Sequence, residues 1–312
     1  MVDVAVASAP AKAMLFGEYA VLEGAPALAL ALDRRIVATA RRSGTSRVAS
    51  DLLGGAIDVD LDGACPHPVL RFVWPLLQAA GPGIELDFAA GFPPVWGLGS
   101  SSASTLAAAA ALRAVSDRPV DHPTLLAEVL DRQRDVQGAA SGYDAATQLV
   151  GGCAVFRPGD PPTFAQVATP VDRGRWRVAW TGRKVSTGSM IRSVRERHPV
   201  GDPIYARIGR LAEDALLLLT AGDVDGLGAA LQEGQALLEE LGASPAWAGE
   251  AARRLSASSG VLGARLSGAG GGDCVVMLVD DPEAAAAAVA DVGLTLLEPT
   301  VDPVGLVVEG PR

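Results

Sequence analysis

Residues 96–115 read WGLGSSSASTLAAAAALRAV, a run of glycine and serine that leads directly into alanine and leucine. A flexible Gly/Ser linker would continue into polar chain, whereas this segment predicts a buried helix over residues 102–115. The serines then fall at the cap and first turn, where a hydroxyl can accept a hydrogen bond from an unpaired backbone N–H. The segment is either an ordinary capped helix or a binding site built at the start of one.

An anion site is the second of these alternatives. The unpaired N–H groups of a first turn and the helix dipole together attract negative charge. Gly97 and Gly99 would let the backbone approach a phosphate with no Cβ in the way, and serine hydroxyls could contact the phosphate or hold Mg²⁺. The segment therefore predicts a phosphate-binding loop if a second anion-binding element accompanies it.

A second glycine-rich loop, SGAGGGDC, occupies residues 267–274 between two apolar segments. Its glycines allow consecutive N–H groups to form an anion-binding nest. A hairpin turn is the alternative, although two glycines would suffice for that. Neither loop has the GxxxxGK[ST] pattern of a Walker A motif.

Lysine is rare in this chain: Lys12 and Lys184 are its two lysines among 26 lysines and arginines. An ammonium is a compact point charge with rotatable donors, whereas a guanidinium is a rigid fork. A lysine kept in so arginine-rich a chain is a candidate functional residue. Lys12 lies in PAKAMLFGEYAVLEG (residues 10–24), and Asp144 lies in GAASGYDAATQ (residues 138–148), where we expect a turn.

An isolated aspartate in such a turn is usually a helix cap. Paired with Lys12 in space, Asp144 could instead orient a hydroxyl or accept its proton, while the ammonium offsets charge on a transferred phosphoryl group.

The composition excludes several classes of function. A net charge of −10 argues against nucleic acid as a partner. Cys65, Cys153 and Cys274 have no CxxC spacing and suggest neither a disulfide framework nor a zinc site. The N-terminus lacks a signal-peptide pattern, and no apolar run is long enough to span a bilayer. We expect a cytoplasmic protein without a membrane partner.

Helical and strand patterns alternate without a regular βαβ rhythm, which predicts an α+β fold. We expect two short strands at residues 2–7 and 13–16, a helix at 69–80, and a strand at 148–156. The Pro- and Gly-rich stretch at residues 157–164 is the candidate boundary between two domains, residues 1–163 and 164–312.

Three ordered motifs resemble those of the GHMP kinases: PAKAMLFGEYAVL near the N-terminus, PPVWGLGSSSAS in the middle and ARLSGAGGGDC near the C-terminus. The resemblance covers nearly the whole chain. It implies an N-terminal domain like part of a ribosomal protein and a ferredoxin-like C-terminal domain. It also implies ATP and Mg²⁺ as cofactors and a phosphorylated small molecule as product.

The resemblance assigns roles to individual residues. Lys12 and Asp144 fall where mevalonate and phosphomevalonate kinases carry their catalytic Lys/Asp pair, and Ser101 falls at the magnesium position. The implied nucleotide-binding residues are Gly97, Leu98, Gly99, Ser100, Ser101, Ser102, Gly268, Ala269, Gly270 and Gly271. The implied acceptor-binding residues are Glu18, Tyr19, Ser141, Gly142, Lys184, Ser186 and Arg192.

The motif details predict which acceptor is used. GEYAVL and GGGDC are more similar to phosphomevalonate kinases than to mevalonate kinases, which predicts 5-phosphomevalonate. Gln133 stands where mevalonate kinases have a magnesium-binding glutamate, and an amide is a poorer Mg²⁺ ligand. SGYD, however, resembles the SGxD of mevalonate kinases, so mevalonate is the alternative acceptor. A homodimer is compatible with the sequence.

Overall fold

The computed structural model describes residues 3–138, 140–183 and 187–309, with Thr187 described by its backbone only. Within these ranges no helix is long and apolar enough to cross a lipid bilayer. The strands are β1 (Val4–Phe16), β2 (Ala27–Arg42), β3 (Arg47–Ser50), β4 (Gly55–Asp58), β5 (Ile84–Ala90), β6 (Cys153–Arg157), β7 (Thr163–Gln166), β8 (Trp176–Trp180), β9 (Val261–Leu266), β10 (Cys274–Val279), β11 (Thr295–Leu297) and β12 (Val307–Glu309).

Helices cover these strands. They are α1 (Trp74–Ala80), α2 (Ser100–Val115), α3 (His122–Gln137), α4 (Tyr143–Val150), α5 (Thr187–Arg197), α6 (Pro203–Ala221), α7 (Val224–Glu240), α8 (Ala246–Ser256) and α9 (Pro282–Asp291).

The first sheet has the order β12-β1-β2-β5-β3-β4, and β6 pairs with both β2 and β7. The long strand β2 pairs with β6 along its first part and with β5 along its second. Helix α2 packs against β1 and β2. Its alanines Ala107–Ala111 are essentially inaccessible to solvent, and such small side chains let the helix lie close to the sheet. The buried Ala-rich helix predicted from the sequence therefore forms part of the core.

The second sheet has the order β11-β8-β10-β9, and every pair in it is antiparallel. Helices α7 and α8 pack on β9. Strand β10 is buried along its whole length, which explains why its sequence is uniformly apolar. The two glycine-rich loops lie at the ends of elements in different layers: the first before α2, the second between β9 and β10.

The C-terminal segment returns to the first sheet. Strand β12 pairs antiparallel with β1, and the Asp302 backbone N–H donates to Ala31 O at 2.9 Å. Arg35 forms an ion pair with the buried Asp302 carboxylate and donates to Gly305 O at 2.6 Å. The first sheet is therefore built from both ends of the chain, and the second sheet is formed by residues between them.

Three sequence predictions need correction. Residues 4–16 form one strand, with a register shift at Pro10/Ala11 instead of a break. The helix predicted at 69–80 begins later than expected. A 3₁₀ turn at Pro68–Leu70 precedes it, and the α-helix begins at Trp74. Residues 148–150 belong to α4, because Gly151 and Gly152 end a helix and do not interrupt a strand.

The predicted domain boundary between residues 163 and 164 falls inside β7, and β7 pairs with β6 in the first sheet. In the structure, the chain passes to the second sheet only between β7 and β8.

Candidate active site

A cavity of about 120 Å³ opens where the first sheet meets the second glycine-rich loop. Its wall includes side chains and backbone from β1, the loop after β1, the start of α4 and the loop between β9 and β10. Nine residues of the predicted site line it: Lys12, Glu18, Tyr19, Gly97, Ser141, Gly142, Asp144, Gly268 and Ala269. Residues far apart in sequence thus converge on one cavity.

Lys12 and Asp144 form an ion pair in this cavity. Lys12 Nζ lies 3.0 Å from Asp144 Oδ1 and donates a hydrogen bond to Tyr143 Oη at 2.9 Å. Burial by itself would lower the pKa of Lys12, but the Asp144 carboxylate and Tyr143 outweigh it and raise the pKa above its ordinary value. The buried ammonium therefore stays charged. Asp144 lies in the first turn of α4, not in a turn as predicted from the sequence.

The first glycine-rich loop lies directly against Lys12. The Lys12 backbone N–H donates to Leu98 O at 3.0 Å. Gly99 has a φ of 77°, and a Cβ at this position would lie 2.9 Å from Lys12 Cγ, so both the backbone conformation and the close approach require glycine. Gln148 Nε2 donates to Gly99 O at 3.1 Å. Helix α2 then begins with no side-chain cap on its first turn among the described residues, which suits an anion.

The serines of this loop face different surroundings. Ser100 and Ser101 line a second, larger and mostly apolar cavity of about 340 Å³, together with Val69, Phe72 and Phe88 among others. Ser102 is buried, and its Oγ has no hydrogen-bond partner within the described part of the chain. The first turn of α2 therefore borders the apolar cavity, while Gly97 of the same loop lines the cavity that contains Lys12.

Hydrogen bonds from Met14 and Tyr19, in the N-terminal motif PAKAMLFGEYAVL, hold the second glycine-rich loop in place. The Ser267 hydroxyl accepts from Met14 N at 2.8 Å and donates to Met14 O at 3.1 Å. The Tyr19 hydroxyl donates to Ala269 O. Gly271 N donates to Ala243 O at 2.7 Å, and Gly270 also packs against this carbonyl. Of the predicted loop residues, Gly268 and Ala269 therefore face the cavity, whereas Gly270 and Gly271 lie against the chain after α7.

Glu18 is a buried carboxylate whose charge is balanced from the second sheet. Arg265 Nη2 lies 2.7 Å from Glu18 Oε1, and both side chains are 2% exposed. Arg265 Nη1 also donates to Leu15 O at 2.7 Å. Burial raises the pKa of Glu18, although Arg265 opposes this. Arg265 of β9 therefore connects the second sheet to Leu15 of β1 and to the loop that follows β1.

The Arg265→Leu variant should lose about 3–5 kcal/mol of unfolding free energy at pH 8, because Glu18 then remains buried without its counter-charge. A raised pKa means that the native state binds a proton more readily than the unfolded chain. The loss should therefore shrink as the pH falls toward 5 and Glu18 becomes neutral. Urea unfolding at both pH values measures this effect.

The double variant Glu18→Gln/Arg265→Leu is the matched control. It should recover part of the stability and remove the pH dependence that Glu18 causes. A loss in Arg265→Leu that is equal at pH 5 and pH 8 would contradict the ion-pair explanation.

Among the described residues, one predicted acceptor-binding residue does not line the cavity, and two others cannot be placed. Lys184 and Ser186 lie outside the described residues. Arg192 is exposed on α5 and does not line the cavity. Gln133 is buried in the cavity wall, on the last turns of α3.

Sequence reasoning missed several residues of the site. Tyr143 was assigned no role in the site, but its hydroxyl contacts Lys12. Asp273 lines the cavity, and the Gln148 side-chain amide donates a hydrogen bond to the Gly99 carbonyl. A signal was present for Gln148, since it follows Asp144 by one helical turn and must lie on the same helix face.

Comparisons with known proteins agree with this geometry. Residues 67–152 match the family described as GHMP kinases N terminal domain, and residues 214–295 match GHMP kinases C terminal. The chain is 31% identical to a mevalonate kinase of Aeropyrum pernix, with 89% of each chain covered.

The fold is shared with solved structures. A Lin0012 protein from Listeria innocua superposes with a TM-score of 0.86 at 19% identity, covering 99% of each chain. A Streptococcus pneumoniae phosphomevalonate kinase, in complex with phosphomevalonate and AMPPNP, superposes with a TM-score of 0.80 at 19% identity. This likeness covers 95% of this chain and 99% of that one. The predicted α+β two-domain fold is confirmed, and the chain belongs to the GHMP kinases, a family of ATP-dependent small-molecule kinases.

Proposed function

We propose that this chain is a mevalonate kinase, which transfers the γ-phosphoryl group of ATP to the 5-hydroxyl of mevalonate. This replaces the expectation of 5-phosphomevalonate as acceptor, since the relative aligned over 89% of the chain is a mevalonate kinase. The observation that carries the proposal is the Lys12–Asp144 pair in the cavity, with Nζ 3.0 Å from Oδ1. A carboxylate beside an ammonium suits a neutral hydroxyl acceptor, whose proton must be removed.

The charges around the cavity support an acceptor with few negative charges. The described lining residues include one basic side chain, Lys12, and it is paired with Asp144, while Glu18 is paired with Arg265. A phosphorylated acceptor would bring a second phosphate next to the γ-phosphate, and several cations would be needed to offset that repulsion. Mevalonate brings one carboxylate only.

The roles of the two catalytic residues follow from their chemistry. Asp144 would orient the acceptor hydroxyl and take up its proton as the new P–O bond forms. Lys12 would stabilise the negative charge on the transferred phosphoryl group. Most of the rate enhancement should come from positioning and charge stabilisation, because phosphoryl transfer needs little covalent participation by the protein.

The residues present fit a nucleotide phosphate. The absence of a Cβ at Gly99 lets the Lys12 side chain lie directly against the loop, and no side chain among the described residues caps the α2 N-terminus. The apolar second cavity beside Ser100 and Ser101 is suited to the base of ATP.

The described residues offer few ligands for Mg²⁺. Ser101, which lines the apolar cavity, is the proposed protein ligand, and Gln133 in the wall of the other cavity offers only an amide oxygen. Mg²⁺ keeps several waters and phosphate oxygens in kinases, so few protein ligands are required. When bound, it would neutralise phosphate charge.

Release of ADP with ATP·Mg²⁺ tests the proposal directly, with mevalonate and 5-phosphomevalonate offered in parallel. We expect turnover with mevalonate and a kcat/KM at least about 100-fold lower with 5-phosphomevalonate, because its phosphate would repel the γ-phosphate of ATP. This ratio corresponds to about 2.8 kcal/mol of discrimination between the two acceptors. Turnover only with 5-phosphomevalonate would overturn the proposal and support the interpretation based on GEYAVL and GGGDC. Lys184 and Arg192 would then be the first candidates to replace.

A further inference from the structure

Tyr143 contributes a hydroxyl group to the buried ammonium of Lys12. It is the first residue of α4, directly before Asp144, and it follows Gly142, whose φ of 95° begins the helix. Its Oη accepts a hydrogen bond from Lys12 Nζ at 2.9 Å, and its ring lines the cavity. Two consecutive side chains of one helical turn thus reach the same nitrogen from a rigid element.

An ammonium group has three N–H donors and rotates freely about its Cε–Nζ bond unless its partners fix it. One acceptor fixes one donor and leaves the other two directions free. Tyr143 Oη accepts one donor at 2.9 Å, and the Asp144 carboxylate attracts the ammonium from 3.0 Å. These two contacts together restrict how the ammonium can rotate.

We propose that Tyr143 is a positioning residue, whose hydroxyl acts with Asp144 to restrict the rotation of the Lys12 ammonium so that an N–H is left for a phosphoryl oxygen. The inference rests on the proposed kinase function for the identity of that oxygen. The positioning itself concerns three side chains of this chain and can be observed without any substrate.

The chemistry of a phenol suits this role better than that of a second carboxylate. Burial raises the pKa of Tyr143, so the hydroxyl stays neutral. A neutral oxygen can hold one N–H of Lys12 without repelling an incoming phosphate, whereas a carboxylate in its place would do so. Only 6% of Lys12 is exposed, so water is a poor substitute for this acceptor.

The Tyr143→Phe variant tests the hydroxyl, because the ring and its packing are retained. We expect kcat for mevalonate phosphorylation to fall about tenfold, because the Lys12 ammonium would still be present but misoriented. Both KM values should change less than about twofold.

Tyr205→Phe is the matched control. It removes a tyrosine hydroxyl that donates to His198 O outside the cavity, and its kinetics should match those of the wild type.

Nuclear magnetic resonance measures the Lys12 ammonium directly, and a role of Tyr143 in packing alone would not change this signal. Because the chain contains two lysines, ¹⁵N-lysine labelling gives two ammonium signals, and the one lost in Lys12→Met belongs to Lys12. In the wild type this signal should be protected from exchange with water at neutral pH. In Tyr143→Phe it should shift and exchange faster, whereas Tyr205→Phe should leave it unchanged.

The two readouts separate this inference from the proposed function. An altered Lys12 signal in Tyr143→Phe supports the positioning role even if mevalonate is not the acceptor. An unchanged Lys12 signal in Tyr143→Phe overturns it, whatever happens to kcat, and so does an unprotected Lys12 ammonium in the wild type. An altered signal with an unchanged kcat on the true acceptor also overturns it, since orientation would then not matter for transfer.

Discussion

Lys12→Met is expected to reduce kcat by about three orders of magnitude, in line with the loss of a cation that stabilises a transferring phosphoryl group. Methionine is unbranched and of similar length, so it can occupy the channel between Gly99 and the start of α4. The variant therefore removes the charge and largely preserves the packing. Initial rates of ADP release at saturating ATP and acceptor give kcat, and circular dichroism with thermal unfolding checks the fold.

Lys12→Arg is the informative companion variant. It keeps the positive charge but replaces a compact ammonium by a longer, rigid fork. The Lys12 side chain is in such close contact with Gly99 that a Cβ there would lie 3.0 Å from Cε, so little room remains for the larger group. We expect arginine to restore less than about a tenth of the lost rate, because misplaced charge is a poor substitute for positioned charge. Near-normal turnover in Lys12→Met would refute the catalytic role of Lys12.

Asp144→Asn is expected to reduce kcat by about 10²–10⁴-fold with mevalonate, the range typical of a lost general base. Asparagine has nearly the same shape, but it cannot accept the hydroxyl proton, and it no longer pairs with the Lys12 ammonium. The measurement is again kcat, taken over a range of pH and accompanied by a test of folding.

The size of the fall in kcat for Asp144→Asn also indicates which acceptor is used. A phosphate monoester has a second pKa of about 6 and is already ionised at neutral pH, so 5-phosphomevalonate would need little help from a base. A loss below about tenfold would therefore contradict a hydroxyl acceptor. The double variant Lys12→Met/Asp144→Asn should be little slower than the slower single variant, because residues that act as a unit are not additive.

Much of the site could be predicted because its signals are local. The segment proposed to bind phosphate combines a helix-start signal, two glycines and an apolar helix within 20 residues, and the first turn of α2 contains its serines as expected. The second loop has an excess of glycine that no ordinary turn needs. The Lys12–Asp144 pairing was predicted through the family resemblance, since no local pattern links positions so far apart.

Contacts between distant segments could not be predicted. Lys12 and Tyr143 are 131 positions apart, and a tyrosine beside an aspartate has no sequence feature that distinguishes it from a core aromatic. Arg265 is similar: a single arginine in an apolar strand gives no indication that its partner is Glu18. Such pairings depend on how the two sheets meet, and hydrophobic periodicity describes only one element at a time.

The strand error at residues 148–156 has a related cause. The segment QLVGGCAVF is apolar throughout, and an apolar run alone does not distinguish a buried helix end from a buried strand. The Gly151–Gly152 pair marks the change from α4 to β6.

The pairing of β12 with β1 has a consequence for synthesis on the ribosome. Chains emerge from their N-terminus and their domains generally fold in that order, but the outer neighbour of β1 is made from residues Val307–Glu309. Until residues 307–309 have emerged, residues 6–8 of β1 present an open edge with unpaired backbone groups, which can pair with other chains. A nascent chain stalled after the first half of the protein should therefore depend on chaperones, and the finished protein should not.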